Sequence, residues 1–529
     1  MTCLDPATGE LRPDGASDDK LDRGVLVVAG VVVLGAIMSI LDITVVSVAL
    51  DTFQSEFDAT SAQVAWTMTG YTLALASVIP LTGWAADRFG TKRLYLLAVV
   101  LFTLGSVLCA MATSLEMLVA FRVLQGLGGG MLMPLGMTIL TRAAGPERVG
   151  RVMAVLGIPM LLGPIFGPIL GGWLIEIASW HWIFLINLPI GIAALVYAAR
   201  VLPADDVEPS ETFDLVGMLL LSPGLAAFLY GISSIPETGT VADAQVLAPA
   251  IIGLLLIVAF VPWALRPANA HPLVDLRLFG NRDLTVAVLS LTLFGVAFFG
   301  ASLLFPLYFI QVRDESTLSA GVLLAPQGIG AMVTMPLAGV LVDKIGPGRI
   351  VLVGLTVITG AFALLTQIDH ETSYLYVLGA LFVMGLGMGG TMMPLMTAAL
   401  RTLSDHTVAR GSTLLNIVQQ VGASIGTAVF SVLLTNGLRD MPSVRLGTAL
   451  SEAGVDPSDP GQAAAVAEVA GRLGVDPSTL GDVLPDMAAV FADTFVVAAV
   501  LVGVCLVPAF FLPRKPSERK VDPAAMVGH

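Results

Sequence analysis

Two charged side chains stand alone inside long apolar runs. Asp42 sits in Leu41-Asp42-Ile43-Thr44-Val45-Val46, and Arg122 in Phe121-Arg122-Val123-Leu124-Gln125. A lone acid at membrane depth costs on the order of 3 kcal/mol on insertion scales and usually marks a pathway or a proton relay. Burial penalises the charged form of a carboxyl, whereas a neighbouring cation favours it. Arginine keeps its proton, so Arg122 can tune Asp42 or hold an anion. Moving the two apart would tie proton uptake to a change of shape. Counted from the outer ends of their spans, both lie roughly 10–12 Å deep at the rise of an α-helix. Two structural alternatives stay open: a static ion pair, and a carboxylate bonded to Thr44.

A second set of residues could work as a latch. Gly83-Trp84-Ala85-Ala86-Asp87-Arg88-Phe89-Gly90-Thr91-Lys92-Arg93 reads as a charged turn between two apolar runs. Its pattern, G-x-x-x-D-[RK]-x-G, returns at Gly339, Asp343, Lys344 and Gly346. Glycines at the two ends allow close helix approach and a tight turn. Asp87 is expected to cap a neighbouring helix N-terminus, where an anion is favoured. A further echo aligns Gly129-Gly130-Met131-Leu132-Met133-Pro134-Leu135 with Gly389-Gly390-Thr391-Met392-Met393-Pro394-Leu395 at nearly the same offset. The chain therefore reads as one duplicated unit. Phe382 stands at the position equivalent to Arg122, so the buried charge is not duplicated.

Residues 157–172 hold three prolines and five glycines, including Gly163, Gly167, Pro168, Gly171 and Gly172. Such a helix can bend, pack closely or seal a cavity. Asn416, Gln419 and Gln420 share one helix face. A polar face in a lipid-embedded helix must look inward, so these three, with Gln125 and Met133, are candidate lining for a substrate cavity. Interhelical bonding is the equal alternative for the amides.

The elements that must position these residues are membrane helices. The 529 residues are 56% hydrophobic and only 12% charged, with a mean hydropathy of +0.88. A soluble globular chain is about a quarter charged. Apolar windows of about 20 residues predict fourteen spans, at 25–50, 63–82, 94–112, 115–135, 151–175, 183–202, 214–234, 245–265, 284–311, 320–342, 350–368, 374–398, 408–435 and 488–512. Of the 26 Lys and Arg residues, 21 fall in the alternate segments that would face the cytoplasm. Four (Arg313, Arg439, Arg445 and Arg472) fall outside, and Arg122 lies within a span. That bias places both termini in the cytoplasm.

The expected organisation is a tail (1–24), a six-helix bundle (25–202), a linker with two inserted helices (203–283), a second six-helix bundle (284–512) and a second tail (513–529). His271 to Phe279, in the linker, is amphipathic and is expected on the inner membrane face. The outer loop 436–487 reads as a spacer with one short helix at Ala463 to Leu473. The net charge of −14 comes from acids in the tail and loops, so no nucleic-acid partner is expected. The N-terminal residues lack the basic-then-apolar build of a cleaved signal. Three cysteines form no disulfide framework.

Taken together, these motifs resemble the major facilitator superfamily, and within it the fourteen-helix drug:proton antiporters of the QacA/EmrB-like branch. The resemblance covers about residues 25–512. It implies an all-α integral membrane fold of six plus two plus six helices in the cell inner (plasma) membrane. It implies proton coupling at Asp42 and Arg122, and a conformational latch at Gly83, Asp87, Arg88, Gly90, Lys92 and Arg93. It also implies an antiporter motif at Gly163, Gly167, Pro168, Gly171 and Gly172. The substrates it implies are hydrophobic, often cationic, drugs, with an endogenous lipid or secreted metabolite as the alternative. Departures from the family pattern are Ser47 and Asp51, where Asn and Pro are usual, Thr91, where a basic residue is common, Ala154 for a glycine, and His181 for an arginine.

The rival classes find little support. There is no G-x-x-x-x-G-K-[ST] for ATP-driven pumping. The five histidines do not cluster, so no catalytic or metal site is expected. A channel would not need the asymmetric charge pair. The expected partners are the lipid bilayer, protons and small hydrophobic substrates. No cofactor and no obligate protein partner are expected.

Overall fold

A computed structural model describes residues 22–145, 148–204, 212–235, 242–269, 271–403, 407–455 and 459–514. Most of both predicted tails lies outside these residues. Among the described residues the chain is all-helical, and thirteen helices are long and apolar enough to cross a membrane. They are α1 (Arg23–Ser47), α2 (Ser61–Phe89), α3 (Thr91–Ala110), α4 (Leu115–Ala144), α6 (Trp182–Val201), α7 (Leu215–Ser233), α8 (Ala244–Ala264), α9 (Arg282–Gln311), α10 (Leu318–Ile345), α11 (Pro347–Leu365), α12 (Tyr374–Leu400), α13 (Val408–Asp440) and α14 (Val483–Ala509). A further 29-residue helix, α5 (Val149–Ile177), occupies the place of the fifth predicted span.

Polar caps mark where the apolar runs begin. Thr60 and Gln63 form a capping box ahead of α2, and Ser114, Asp243, Asn281 and Ser373 cap α4, α8, α9 and α12. Such caps satisfy amides that lipid cannot. The residues expected to form a charged turn at 83–93 are mostly helical instead. α2 runs through Phe89, and only Gly90 separates it from α3. Gly90 (φ 96°) and its counterpart Gly346 (φ 86°) occupy backbone that glycine alone adopts readily. That lets a helix reverse within one residue.

α5 lies along α1. A Cβ added at Gly163 or Gly167 would collide with Ile40 or Thr44, and at Gly171 it would lie 3.0 Å from Val45 O. The equivalent pair in the second half is α13 on α9, with Gly426 facing Gly300 beside a π-helical turn at Gly295–Phe299. The inserted helices α7 and α8 pair with each other, and α7 also lies on α2.

The segment 271–279 packs its apolar residues between helix ends. Leu273 and Val274 are buried with Leu221, Phe260 and Leu414, against Trp84, and a short 3-10 turn follows at Leu276–Gly280. Its apolar side fills a seam between helix ends. Asp214 holds it there, accepting from Trp263 Nε1 (2.7 Å), Asn269 Nδ2 (3.2 Å) and Leu273 N (3.1 Å). The outer loop contains two helices, Pro442–Glu452 and Ala463–Leu473, closed on each other by Leu446, Leu450, Val466 and Ala470.

Candidate functional site

α1 and α4 bring Asp42 and Arg122 into direct contact. Arg122 Nη1 donates to Asp42 Oδ2, and both side chains are shielded from solvent. Matching depth in sequence has become contact in space. Arg122 also donates through Nε to Thr67 O (3.1 Å) and lies over the Tyr71 ring at 4.2 Å. The other carboxylate oxygen, Asp42 Oδ1, accepts from Gln125 Nε2 (2.7 Å) and Asn187 Nδ2 (3.3 Å). Thr44 is not the partner of the acid: its hydroxyl donates to Ile40 O, Leu41 O and Gly163 O.

Gln125, a candidate for the substrate cavity by sequence, is fully buried beside the charge pair. It accepts from Arg122 Nη1 (2.7 Å) and donates to Asp42 and to Ser106 Oγ (2.6 Å). Its position three residues after Arg122 put both on one helix face. Asn187 and Ser106 complete the network, and no spacing in the sequence linked them to Asp42. A buried carboxylate held by three donors on two elements besides its own is costly to break.

The latch residues lie between the halves. Gly83 of α2 abuts the start of α13, where a Cβ would meet Thr413 Oγ1 at 3.0 Å and Arg410 Cα at 3.2 Å. Gly339 of α10 abuts the start of α5 in the same way, with Gly150 O at 2.9 Å and Arg151 Cα at 3.2 Å. The acids differ. Asp87 lies between Arg142 (3.6 Å) of its own half and Arg410 (3.5 Å) of the other. Asp343 accepts from Gly150 N (3.1 Å), at the α5 N-terminus, and faces Arg151 (3.3 Å). Asp343 thus caps the α5 N-terminus. Lys92 donates to Leu202 O (2.7 Å), a bond inside the first half. Arg88 is half-buried, and Arg93 and Lys344 are exposed.

Within α5, Gly163, Gly167 and Gly171 form the contact stripe on α1, while Gly172 faces open space with nothing within 4 Å. The side chain of Pro168 lies outside the described residues. On α13, Asn416 Nδ2 reaches Met137 Sδ (3.2 Å) of α4 and its own Ser412 O (2.8 Å). Gln420 instead faces Ala76 and Ile79 of α2 and Leu225 and Leu229 of α7. Gln419 and Met133 are half-buried.

The sequence profile of the Major Facilitator Superfamily matches residues 32–427. The chain is 51% identical over 516 residues to the "Multidrug resistance protein B homolog" of Mycobacterium tuberculosis H37Rv, covering 96% of this chain and 93% of the relative. It is 30% identical over 412 residues to the "Multidrug export protein EmrB" of Escherichia coli K12, covering 76% and 79%. Among solved structures, the human organic anion transporter TETRAN superposes with a TM-score of 0.56 at 16% identity, covering 90% of this chain and 99% of that one. The proton:xylose symporter XylE superposes at 0.54 and 15% identity, covering 93% and 97%. At these identities the structural likeness concerns the fold alone.

Proposed function

Because this chain belongs to the major facilitator superfamily, we propose that it exports hydrophobic, often cationic, drugs in exchange for protons. Membership makes it a membrane transporter rather than an enzyme, and a multi-pass protein of the cell inner membrane. The drug class is taken from the printed names of its relatives. Proton coupling rests on one observation: Asp42 is paired with Arg122 in a buried network confined to the first half.

The chemistry follows from that pair. While Asp42 is ionised, Arg122 is balanced and the network holds α1, α2 and α4 together. Protonation from outside removes the negative charge. Among the described residues, Arg122 is then a buried cation facing Gln125 Oε1, Thr67 O and the Tyr71 and Phe184 rings. Removing one partner of a buried pair costs about 3–5 kcal/mol. An energy of that size can invert a two-state equilibrium. The halves would rock toward the cytoplasm-facing state, opening the Asp87 and Asp343 contacts. Substrate would bind there and would leave outward once the proton is released.

The test is transport in inverted membrane vesicles. An inside-acid gradient is imposed, and uptake of a fluorescent lipophilic cation is compared between the wild type and Asp42→Asn. Gradient-driven uptake in the wild type alone is the expected result. Full coupling in folded Asp42→Asn would remove the acid from the mechanism. No dye movement in either would set aside the drug reading and redirect the search to a lipid or metabolite cargo.

A further inference from the structure

We propose that the outer loop of the second half forms a binding site for an anionic amphiphile, a phosphate or carboxylate carried on an apolar group. A cavity of about 460 Å³ lies between the two loop helices and the outer ends of α9, α13 and α14. That volume falls within the roughly 300–1,000 Å³ of small-ligand sites. Leu438, Val444, Leu473 and Met487 supply apolar wall, and Arg439 and Arg445 supply charge. A turn at Met441 brings the two arginines to one opening: α13 ends at Asp440, and Pro442 starts the next helix. Proline suits that first position because its missing N–H would have no helical partner there.

Among the described residues, these two charges are not neutralised. The sequence assigns Arg313, Arg439, Arg445 and Arg472 to the outer side. Arg313 donates to His370 O (2.6 Å) and lies over the Tyr374 ring at 4.6 Å. Arg472 pairs with Glu468 on its own helix. Among the described residues, Arg439 and Arg445 make neither an ion pair nor a side-chain hydrogen bond, and no acid lines their cavity. Asp486, next to the lining Met487, accepts from Ser443 Oγ, and Asp440, next to Arg439, is exposed. A guanidinium presents a planar fork that matches a carboxylate or a phosphate. The apolar walls favour an anion that carries a tail.

The first half shows that the repeat does not require this cavity. Its equivalent connection, from α5 to α6, is only residues 178–181. Trp180 closes it, with its ring 5.4 Å from Phe53 and 6.3 Å from Phe184. The second half has a two-helix cap and a cation-lined opening where the first has an aromatic plug. The site takes the opposite charge to the cations proposed as cargo. It is therefore independent of that reading, and either can fail without the other.

The test is calorimetric titration of the full-length protein in phosphatidylcholine nanodiscs. The probes are hexyl phosphate, inorganic phosphate, hexyltrimethylammonium and dihexanoylphosphatidylglycerol. The double variant Arg439→Gln/Arg445→Gln in the same nanodiscs measures partitioning into the lipid. Hexyl phosphate should bind the wild type more tightly than inorganic phosphate or the cation with the same tail. Arg439→Gln or Arg445→Gln alone should weaken it about tenfold, as expected for loss of one charge-assisted hydrogen bond. Thr448→Leu fills the opening from an exposed lining position without changing charge. It should weaken hexyl phosphate as well, so the site stays testable if an arginine variant fails to fold. Tighter binding of phosphatidylglycerol than of hexyl phosphate would make the ligand an outer-leaflet lipid, and the reverse order a free solute. Equal binding of hexyl phosphate and the cation, no binding of hexyl phosphate, or unchanged affinity in the folded variants would overturn the site. Inorganic phosphate binding as tightly as hexyl phosphate would overturn the amphiphile.

Discussion

In the first half, α4 carries Arg122 and Gln125, both buried against Asp42 of α1. At the equivalent places on α12 the second half has Phe382, which is 36% exposed, and Gly385, where a Cβ would collide with Gln327 O. The latch glycines, by contrast, are repeated in both halves, each against the first turns of a helix from the other half. Duplication has kept the glycines that bring the two halves into close contact. It has not kept the charged centre. The second half spends the corresponding volume on close backbone packing, with Gly300 on Gly426 beside the π-helical turn. One half therefore carries groups that can sense a proton, and the other provides a tightly fitted counterpart.

The largest effect should come from attacking that asymmetry directly. Asp42→Asn should abolish gradient-driven dye uptake, while Phe382→Leu at the equivalent site should leave it within about twofold, as for a surface substitution. A comparable loss in both would mean that the halves share the coupling. Next in size is stability. Arg122→Gln leaves Asp42 buried without its cation and should cost about 3–5 kcal/mol, read as a lower unfolding midpoint in detergent. Adding Asp42→Asn should restore part of that loss, because a neutral pair can hydrogen-bond. If the double variant were as unstable as the sum of the singles, the ion pair would not be the unit holding α1 to α4.

The fold was legible because lipid imposes a length and an apolar composition on every span, and because the latch pattern repeats. The Asp42–Arg122 contact was legible because two charges at equal depth in apolar helices have few other partners. Gln125 was legible only in part. Its spacing put it beside Arg122, but whether a polar face meets a cavity or a carboxylate depends on which helix lies opposite. Asn187 and Ser106 come from α6 and α3, and local sequence carries no record of that meeting. The burial of Leu273 and Val274 was no easier to read from sequence. An amphipathic pattern fits a lipid surface and a seam between helix ends equally well.

The glycines of α5 offer a smaller test. Gly163, Gly167 and Gly171 recur every four residues and so share a face, whereas Gly172 is turned about 100° away. Gly167→Ala forces a methyl against Thr44 and should cost about 1–3 kcal/mol through overpacking. Gly172→Ala meets open space and should be neutral or slightly stabilising, since alanine favours the helix. Thermal unfolding of the two variants decides it. Equal losses would mean that the stripe is not what seats α5 on α1.

The smallest expected difference separates the two latches. Asp87 faces two arginines, at 3.5 and 3.6 Å. Asp343 also accepts a backbone hydrogen bond from Gly150 at the start of α5. Partly exposed ion pairs contribute about 0–1 kcal/mol and weaken as salt screens them. An asparagine at 343 gives up its charge to Arg151 but can still accept from the Gly150 amide, whereas an asparagine at 87 gives up its charge to both Arg142 and Arg410. Asp87→Asn should therefore loosen the α2–α13 contact by about 1 kcal/mol at low ionic strength, with the effect fading as salt rises. Asp343→Asn should loosen the α5–α10 contact less and with a weaker salt dependence, because the bond from Gly150 is kept while one ion pair is lost. Spin labels at the ends of each helix pair, read as distance distributions at two salt concentrations, make the comparison. Identical shifts and identical salt dependence would show that the latches are held by the same force, and the asymmetry of the two halves would then end at the buried charge.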